Sequence, residues 1–163
     1  MWEAFYGNAA AARKGAAKAL ELGRGREVDY AAAFALSLSG DLPQSRAIAG
    51  DLAREYPEST FVQSMYLPTL RALSSLNADD PAAAIQALQI AKRYDLALGG
   101  VGFIGRFGGL YPIYVRGLAY LAARQPADAA AEFQRIVDHR GIVLVDPMGA
   151  MAQLQLARAR ETP

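Results

Sequence analysis

The sequence predicts an all-α fold, and three observations carry that reading. Alanine fills 34 of the 163 positions, and it is both the best helix former and small enough to let helices approach closely. Apolar residues recur at helical spacing over most of the chain. The β-branched and aromatic runs that mark strands are scarce. With 53% hydrophobic residues, a chain of this length can bury one continuous core, so a single domain is expected.

The elements follow in order. Residues 2–6 read as the tail of a helix, closed by a turn at Gly7-Asn8, after which Ala12, Ala16 and Ala19 share a helix face. Ala33 and Leu36 precede a Gly40-Asp41 turn; Ser45, Ala49 and Leu52 then form a stripe that Pro57 closes. Residues 60–77 predict one long helix bent at Pro68, because an interior proline removes a hydrogen bond and kinks the helix. Ala72 and Ser75 lead into a turn over 77–81, followed by Ala84, Leu88 and Ala91. A helix over 111–123 carries Gly117 and Tyr120, Gln125-Pro126 breaks it, and Ala129, Phe133 and Ile136 mark the next. Residues 142–145 predict an extended connector to a final helix near Pro147.

This layout repeats. Aligning Ala12, Ser45, Ala84 and Ala129 gives steps of 33, 39 and 45 residues, which signals stacked helix pairs with two insertions. The expected single domain over 1–163 holds a partial repeat at 1–25, repeats at about 26–58, 59–97 and 111–141, and a partial repeat at 146–163, with a Gly-rich insertion at 98–110. The expected helix count is eight or nine.

Gly117, Tyr120, Ala129 and Phe133, together with the 45–57 segment, resemble tetratricopeptide repeats. The signature Trp of the first helix is absent from every unit, and only the second unit keeps its closing Pro. The resemblance implies a right-handed α-solenoid of antiparallel helix pairs that binds protein or peptide partners in a concave groove. More narrowly, YPESTFVQSMYLPTLRAL, GLYPIYVRGLAYLAA and VDHRGIVLVDPMGAMAQLQLARA are similar to the C-terminal region of bacterial eukaryotic-like Ser/Thr kinases. Related repeat regions accompany winged-helix transcription regulators. The chain opens and ends partway through a repeat without polar capping helices, so a binding or spacer fragment of a larger signalling protein is expected.

The register places Tyr30, Phe34, Tyr66, Thr69, Leu73, Tyr111, Tyr114 and Leu118 on the groove or its edge. Tyrosine offers large contact area and a hydroxyl at small entropic cost, which suits a peptide-binding surface. The row of Lys and Asn that clamps a C-terminal carboxylate in some family members is missing. On the Gly-rich insertion, Phe103, Arg106 and Phe107 are candidate contacts, with Phe103, Ile104, Phe107 and Leu110 tucking back onto the helices.

Chemistry is disfavoured at each place that suggests it. Gly100, Gly102 and Gly105 spell GxGxxG, but a dinucleotide fingerprint needs a preceding strand and a later acidic residue, and both are lacking. His139 is the single histidine and ends a helix, where a cationic group suits the dipole. Asp79-Asp80 precedes Pro81, as a helix cap does. Ser37, Ser39, Ser74 and Ser75 have no His nearby in sequence to activate them. Without cysteine, disulfides and thiolate sites are excluded,, and no metal or other cofactor is expected. Arg13, Lys14, Lys18, Arg24 and Arg26 read as a solvated helix face.

Seventeen basic residues against sixteen acidic ones lack the excess positive charge of a nucleic-acid or anionic-membrane partner. No apolar run is long enough to span a bilayer, and residues 1–8 lack the basic start and apolar core of a signal peptide. The sequence therefore predicts a non-catalytic protein-interaction module. Two alternatives stand beside it: a dimerising or regulatory spacer joined through terminal repeats, and a nucleotide or small-ligand binder using the Gly-rich insertion.

Overall fold

The computed structural model describes residues 1–97, 108–144 and 146–161. Every regular element among them is helical, and no helix there is long and apolar enough to cross a membrane. The described α-helices are α1 (Trp2–Phe5), α2 (Ala9–Leu22), α3 (Arg26–Leu38), α4 (Leu42–Glu55), α5 (Leu67–Asn77), α6 (Pro81–Ala87), α7 (Leu110–Ala122), α8 (Pro126–Asp138), α9 (Arg140–Val143) and α10 (Met148–Glu161). The number exceeds the expected eight or nine because α1 and α9 are four-residue pieces.

One turn is built four times. Gly7, Gly40, Asp79 and Arg124 all have φ between 56° and 80°. The residue after each sends its amide five residues back, to Glu3, Leu36, Ser75 and Tyr120, at 2.9 Å in every case. The positive-φ residue itself bonds three back, to Ala4, Ser37, Leu76 and Leu121. This pair of bonds satisfies carbonyls that a helix end would otherwise leave open. At three of the four turns the following residue also caps the next helix: Asn8, Asp41 and Asp80 accept from the amides of Ala11, Gln44 and Ala83,. One helix end thus sets the next helix start, and the short connection turns the chain back on itself.

Packing follows from the small residues. Ala12, Ser45, Ala84 and Ala129 are all buried, each on the second helix of its pair. Ser45 Oγ donates to the Ala33 carbonyl at 2.9 Å and, with its proton so used, accepts from Ser37 Oγ at 2.7 Å. At Gly117 a Cβ would lie 2.6 Å from the Phe133 ring, so only glycine admits that ring between α7 and α8. Helices α3, α5 and α7 also pack side by side, while α4, α6 and α8 each cover the helix before them. Helix α10 lies on α8, and α1 lies on α2 and α3.

The chain is helical without a break from 60 to 77, as expected, and it absorbs Pro68 with a wide turn. Val62–Tyr66 is π-helical, and the Leu67 amide bonds Val62, five residues back. Pro68 has no amide to give, and the extra residue in the turn accommodates that loss.

Two expectations are corrected. Residues 142–145 were expected to be extended, but 140–143 form the helical turn α9, with the Val143 amide on His139 and the Leu144 amide on Arg140. The turn carries Val143 into the core against Gly149, where a Cβ would meet Val143 at 2.5 Å. The expected insertion at 98–110 ends earlier, since Leu110 is buried and opens α7. Residues 98–107, with Phe103, Arg106 and Phe107, lie outside the described residues. The Gly109 amide donates to Ala97 at 2.8 Å, and a Cβ there would sit 2.4 Å from the Tyr94 carbonyl.

Left-handed backbone costs an L-residue about 1–2 kcal/mol and glycine almost nothing, partly offset by the entropy glycine loses on folding. Arg124→Gly is therefore expected to raise the thermal midpoint and Gly40→Ala to lower it, each by about 2–4 °C, measured by circular dichroism.

Candidate functional site

The site begins with aromatic residues at helical spacing. Tyr30 and Phe34 stand one turn apart on α3, Tyr111 and Tyr114 on α7, and Tyr66 ends the π-helical segment. Tyr30 and Tyr66 stack at 3.9 Å, almost parallel. Phe34 meets Tyr111 edge-on at 5.3 Å, and Tyr30 meets the same ring at 6.2 Å. Phe5 of α1 adds contacts to Phe34, Tyr111 and Tyr114 at 5.7, 6.3 and 5.6 Å. Such tilted and edge-on pairs contribute about 0.5–1.5 kcal/mol each beyond the area they bury.

This arrangement corrects the expected open groove. Tyr30, Phe34, Tyr66, Thr69, Leu73, Tyr111 and Tyr114 are each 2% exposed or less, and Leu118 is half-buried. The structure does bring them together, but as core. The reason is that α3 and α7 come close enough for their rings to touch, and Phe5 fills the remaining space. Tyr111 Oη donates to Asp146 Oδ2 at 2.9 Å, while Asp146 Oδ1 accepts from the Met148 amide at the start of α10. A single tyrosine thus ties α1, α3 and α7 to the approach to α10.

Burial disfavours the phenolate and raises the pKa of all four tyrosines in this cluster. Tyr66 is pushed up to about 12, chiefly by burial and then by the Glu27 charge. Tyr30 and Tyr111 are also raised well above the usual phenol value, again mainly by burial. Tyr114 is raised by burial against an opposing hydrogen bond with Gln155.

A groove of about 580 Å³ remains open at the edge of this cluster. Phe5 and Tyr6 line it from the N-terminal side, Leu38 from α3, Tyr114 and Leu118 from α7, and Met151, Leu154 and Arg158 from α10. Tyr6 is 65% and Leu154 44% exposed, high for large apolar side chains. Of the eight residues expected at the groove, Tyr114 and Leu118 are the two that reach this opening. The α10 residues escaped sequence reasoning, although Met151, Leu154 and Arg158 share one helical stripe.

The second feature is a buried ion network. Arg116 of α7 is fully buried and grips Glu132 of α8 with Nε and Nη2, at 2.8 and 2.7 Å. Its Nη2 also reaches Asp95 Oδ2 at 2.7 Å, which accepts from Arg135 at 2.8 Å. Burial opposes the Arg116 charge, but the hydrogen bonds to Glu132 and Asp95 outweigh it and raise the guanidinium pKa. With two cations and two anions the cluster is neutral, and it clasps the end of the 3-10 segment Ile90–Tyr94 to α7 and α8.

Other chemistry-bearing residues take local roles. His139 Nδ1 lies 2.6 Å from the Arg135 carbonyl at the end of α8. Arg13 donates to the Ser39 carbonyl, Lys18 pairs with Glu21, Arg24 with Asp29 and Asp51, and Arg26 with Glu27. Among the described residues no group of three His, Asp or Glu could hold a metal ion.

No family model matches the chain, and no curated protein or solved structure matches it either.

Two outcomes follow from this geometry. A phenol whose folded pKa lies above its unfolded value holds its proton longer in the folded state, so its contribution is intact below about pH 10 and lost as pH rises through about 12,. Stability against urea is expected to be flat below that window and to fall within it, with the buried tyrosines ionising as the fold is lost, read from tyrosinate absorbance. Arg116→Ala leaves the carboxylates of Asp95 and Glu132 with only the half-exposed Arg135 as a cation and is expected to cost about 3–5 kcal/mol in urea unfolding.

Proposed function

We propose that this chain is a protein-interaction module of the tetratricopeptide type, which takes an apolar peptide segment of a partner into the groove between α1, α7 and α10. The four equivalent turns support the repeat reading. They recur at the 33-, 39- and 45-residue steps of the aligned small residues. The groove itself carries the functional reading. It is open, apolar along its walls and bounded by the exposed rings and chains of Tyr6 and Leu154.

Three properties suit a peptide. The volume of about 580 Å³ accepts several side chains,. Rigid aromatic walls lose little entropy when covered, so contact there converts well into affinity. Gln155 and Arg158 add polar groups at the α10 side, where register and direction can be read. The resemblance to repeat regions of bacterial kinases favours a signalling protein as the setting.

Self-association is a second reading, because Trp2, Tyr6 and Leu154 are exposed large hydrophobics that a second copy could equally cover,. Light scattering across a concentration series separates the two, a constant monomer mass favouring the peptide.

The direct test is selection of peptides from a random displayed library on the intact protein. Peptides with apolar anchors are expected to emerge and to bind Leu154→Glu and Tyr6→Ala at least about tenfold more weakly, the scale of losing one well-packed anchor contact. Leu22→Glu, at an exposed leucine away from the groove, is expected to bind normally. Selected peptides that bind all three variants alike would overturn the groove.

A further inference from the structure

A second cleft lies on another part of the surface, between the α3–α4 pair and α5. It is open to solvent, with a volume of about 470 Å³, and Arg46 and Arg71 stand exposed on its walls. Two helical stripes face each other across it: Leu42, Ser45, Arg46 and Ala49 on α4, and Leu70, Arg71, Ser74 and Ser75 on α5, with Ser37 beneath. Spacings of three, four and seven residues put each set on one face. The cleft therefore combines two guanidinium groups with four serines, set between short apolar side chains.

Neither guanidinium of the cleft pairs with a carboxylate among the described residues, a condition Arg13, Arg93, Arg124, Arg140 and Arg160 share. Arg24, Arg26, Arg54, Arg116 and Arg135 all pair with carboxylates. Arg46 has no carboxylate within ion-pair distance among the described residues; it spends Nε and Nη2, at 3.0 and 2.8 Å, on the single oxygen Ser74 Oγ. Arg71, one turn before Ser74 and Ser75, makes no ion pair or hydrogen bond among the described residues. The one acid lining the cleft, Asp80, already accepts from the Ala83 amide at 2.9 Å.

The hydrogen-bond inventory then points one way. A serine oxygen that accepts two guanidinium N–H groups still has its own O–H to donate. Arg46 holds Ser74 so that this proton is available, and the Nη1 edge of Arg46 and the whole fork of Arg71 remain as donors. Ser45 has committed its proton to Ala33 and Ser37 its proton to Ser45, which leaves Ser74 and Ser75 as the hydroxyl donors. The cleft presents mainly donors, and guanidinium forks match planar or tetrahedral oxyanions best.

We infer that the cleft between α4 and α5 is a binding site for a carboxylate or phosphate carried on an organic body, held by Arg46 and Arg71 with Ser74 and Ser75 as hydroxyl donors. A bare ion would leave most of the 470 Å³ unfilled, whereas Leu42, Ala49 and Leu70 can cover a carbon skeleton. Both a free organic acid and an acidic side chain of a protein partner carry this chemistry. The site shares no residue with the groove at α10, so it stands or falls independently of the peptide reading.

The test is titration calorimetry on the full chain with three probes: inorganic phosphate, citrate and a glutamate-rich peptide. Saturable binding of citrate, or of the peptide, is expected to weaken with added salt and to fall at least about tenfold in Arg46→Gln/Arg71→Gln, the loss of two charge-assisted contacts. Arg93→Gln, which removes a cation elsewhere, is expected to leave binding unchanged. Binding of citrate alone identifies a free organic acid as the ligand, and binding of the peptide alone identifies an acidic partner segment. The inference is overturned if neither citrate nor the peptide binds, if phosphate binds as tightly as both, or if Arg93→Gln weakens binding as much as the double variant. Ser74→Ala, expected to fold normally on its half-exposed helix face and to weaken binding, guards against a double variant that merely unfolds.

Discussion

The contact on which the fold depends is the closure around Tyr111. Its ring touches Phe5, Tyr30 and Phe34, and its hydroxyl reaches Asp146. Those partners are far apart in sequence and belong to different helix pairs. Helix pairs that met only their neighbours would stack into an open array, each pair stabilised locally. Here one buried side chain joins the first helix, two middle ones and the approach to the last. Closure converts a row of local contacts into a shared core, and it makes the aromatic face dry. That dryness raises the tyrosine pKa values and strengthens the Tyr111 hydrogen bond to Asp146,.

Closure also decides what is left for function. Had the rings of α3, α5 and α7 stood apart, the concave side would have been one long tyrosine-lined surface. Instead Phe5 occupies the centre, and the opening that survives lies between α1, α7 and α10. The site is thus framed by two elements distant in the chain, with Tyr6 on one side and Leu154 on the other. Its width follows from how Tyr111 and Asp146 hold the two ends of the chain.

The ion network plays a complementary part at the middle of α7. Arg116, Glu132, Asp95 and Arg135 hold the chain entering 98–107 against the α7–α8 pair. Gly109 supports the same junction from the backbone, since its amide bonds Ala97 where any side chain would collide. One of the glycines in that segment is thereby explained by close approach of two backbone strands, which composition alone does not distinguish from turn-forming glycine. The buried pairing of Arg116 was equally illegible in sequence, because its partners lie 16 and 21 residues away.

Local rules determined the all-helical class, the helix faces and the turns at Gly7-Asn8 and Gly40-Asp41, since glycine freedom and Asn or Asp capping act within a few residues. They also identified Ala129, Phe133 and Ile136 as one stripe and the 60–77 helix as continuous through Pro68. Asp79 and Arg124 occupy the same left-handed position without announcing it, because there the surrounding helices impose the turn. Only the tertiary structure decided that Tyr30, Phe34, Tyr66 and Tyr111 are interior and that Tyr114 alone of these rings lines the opening. Helical periodicity says which residues share a side of a helix. Whether that side meets water or another helix depends on how tightly the chain closes, and closure is set by contacts between residues that sequence order keeps apart.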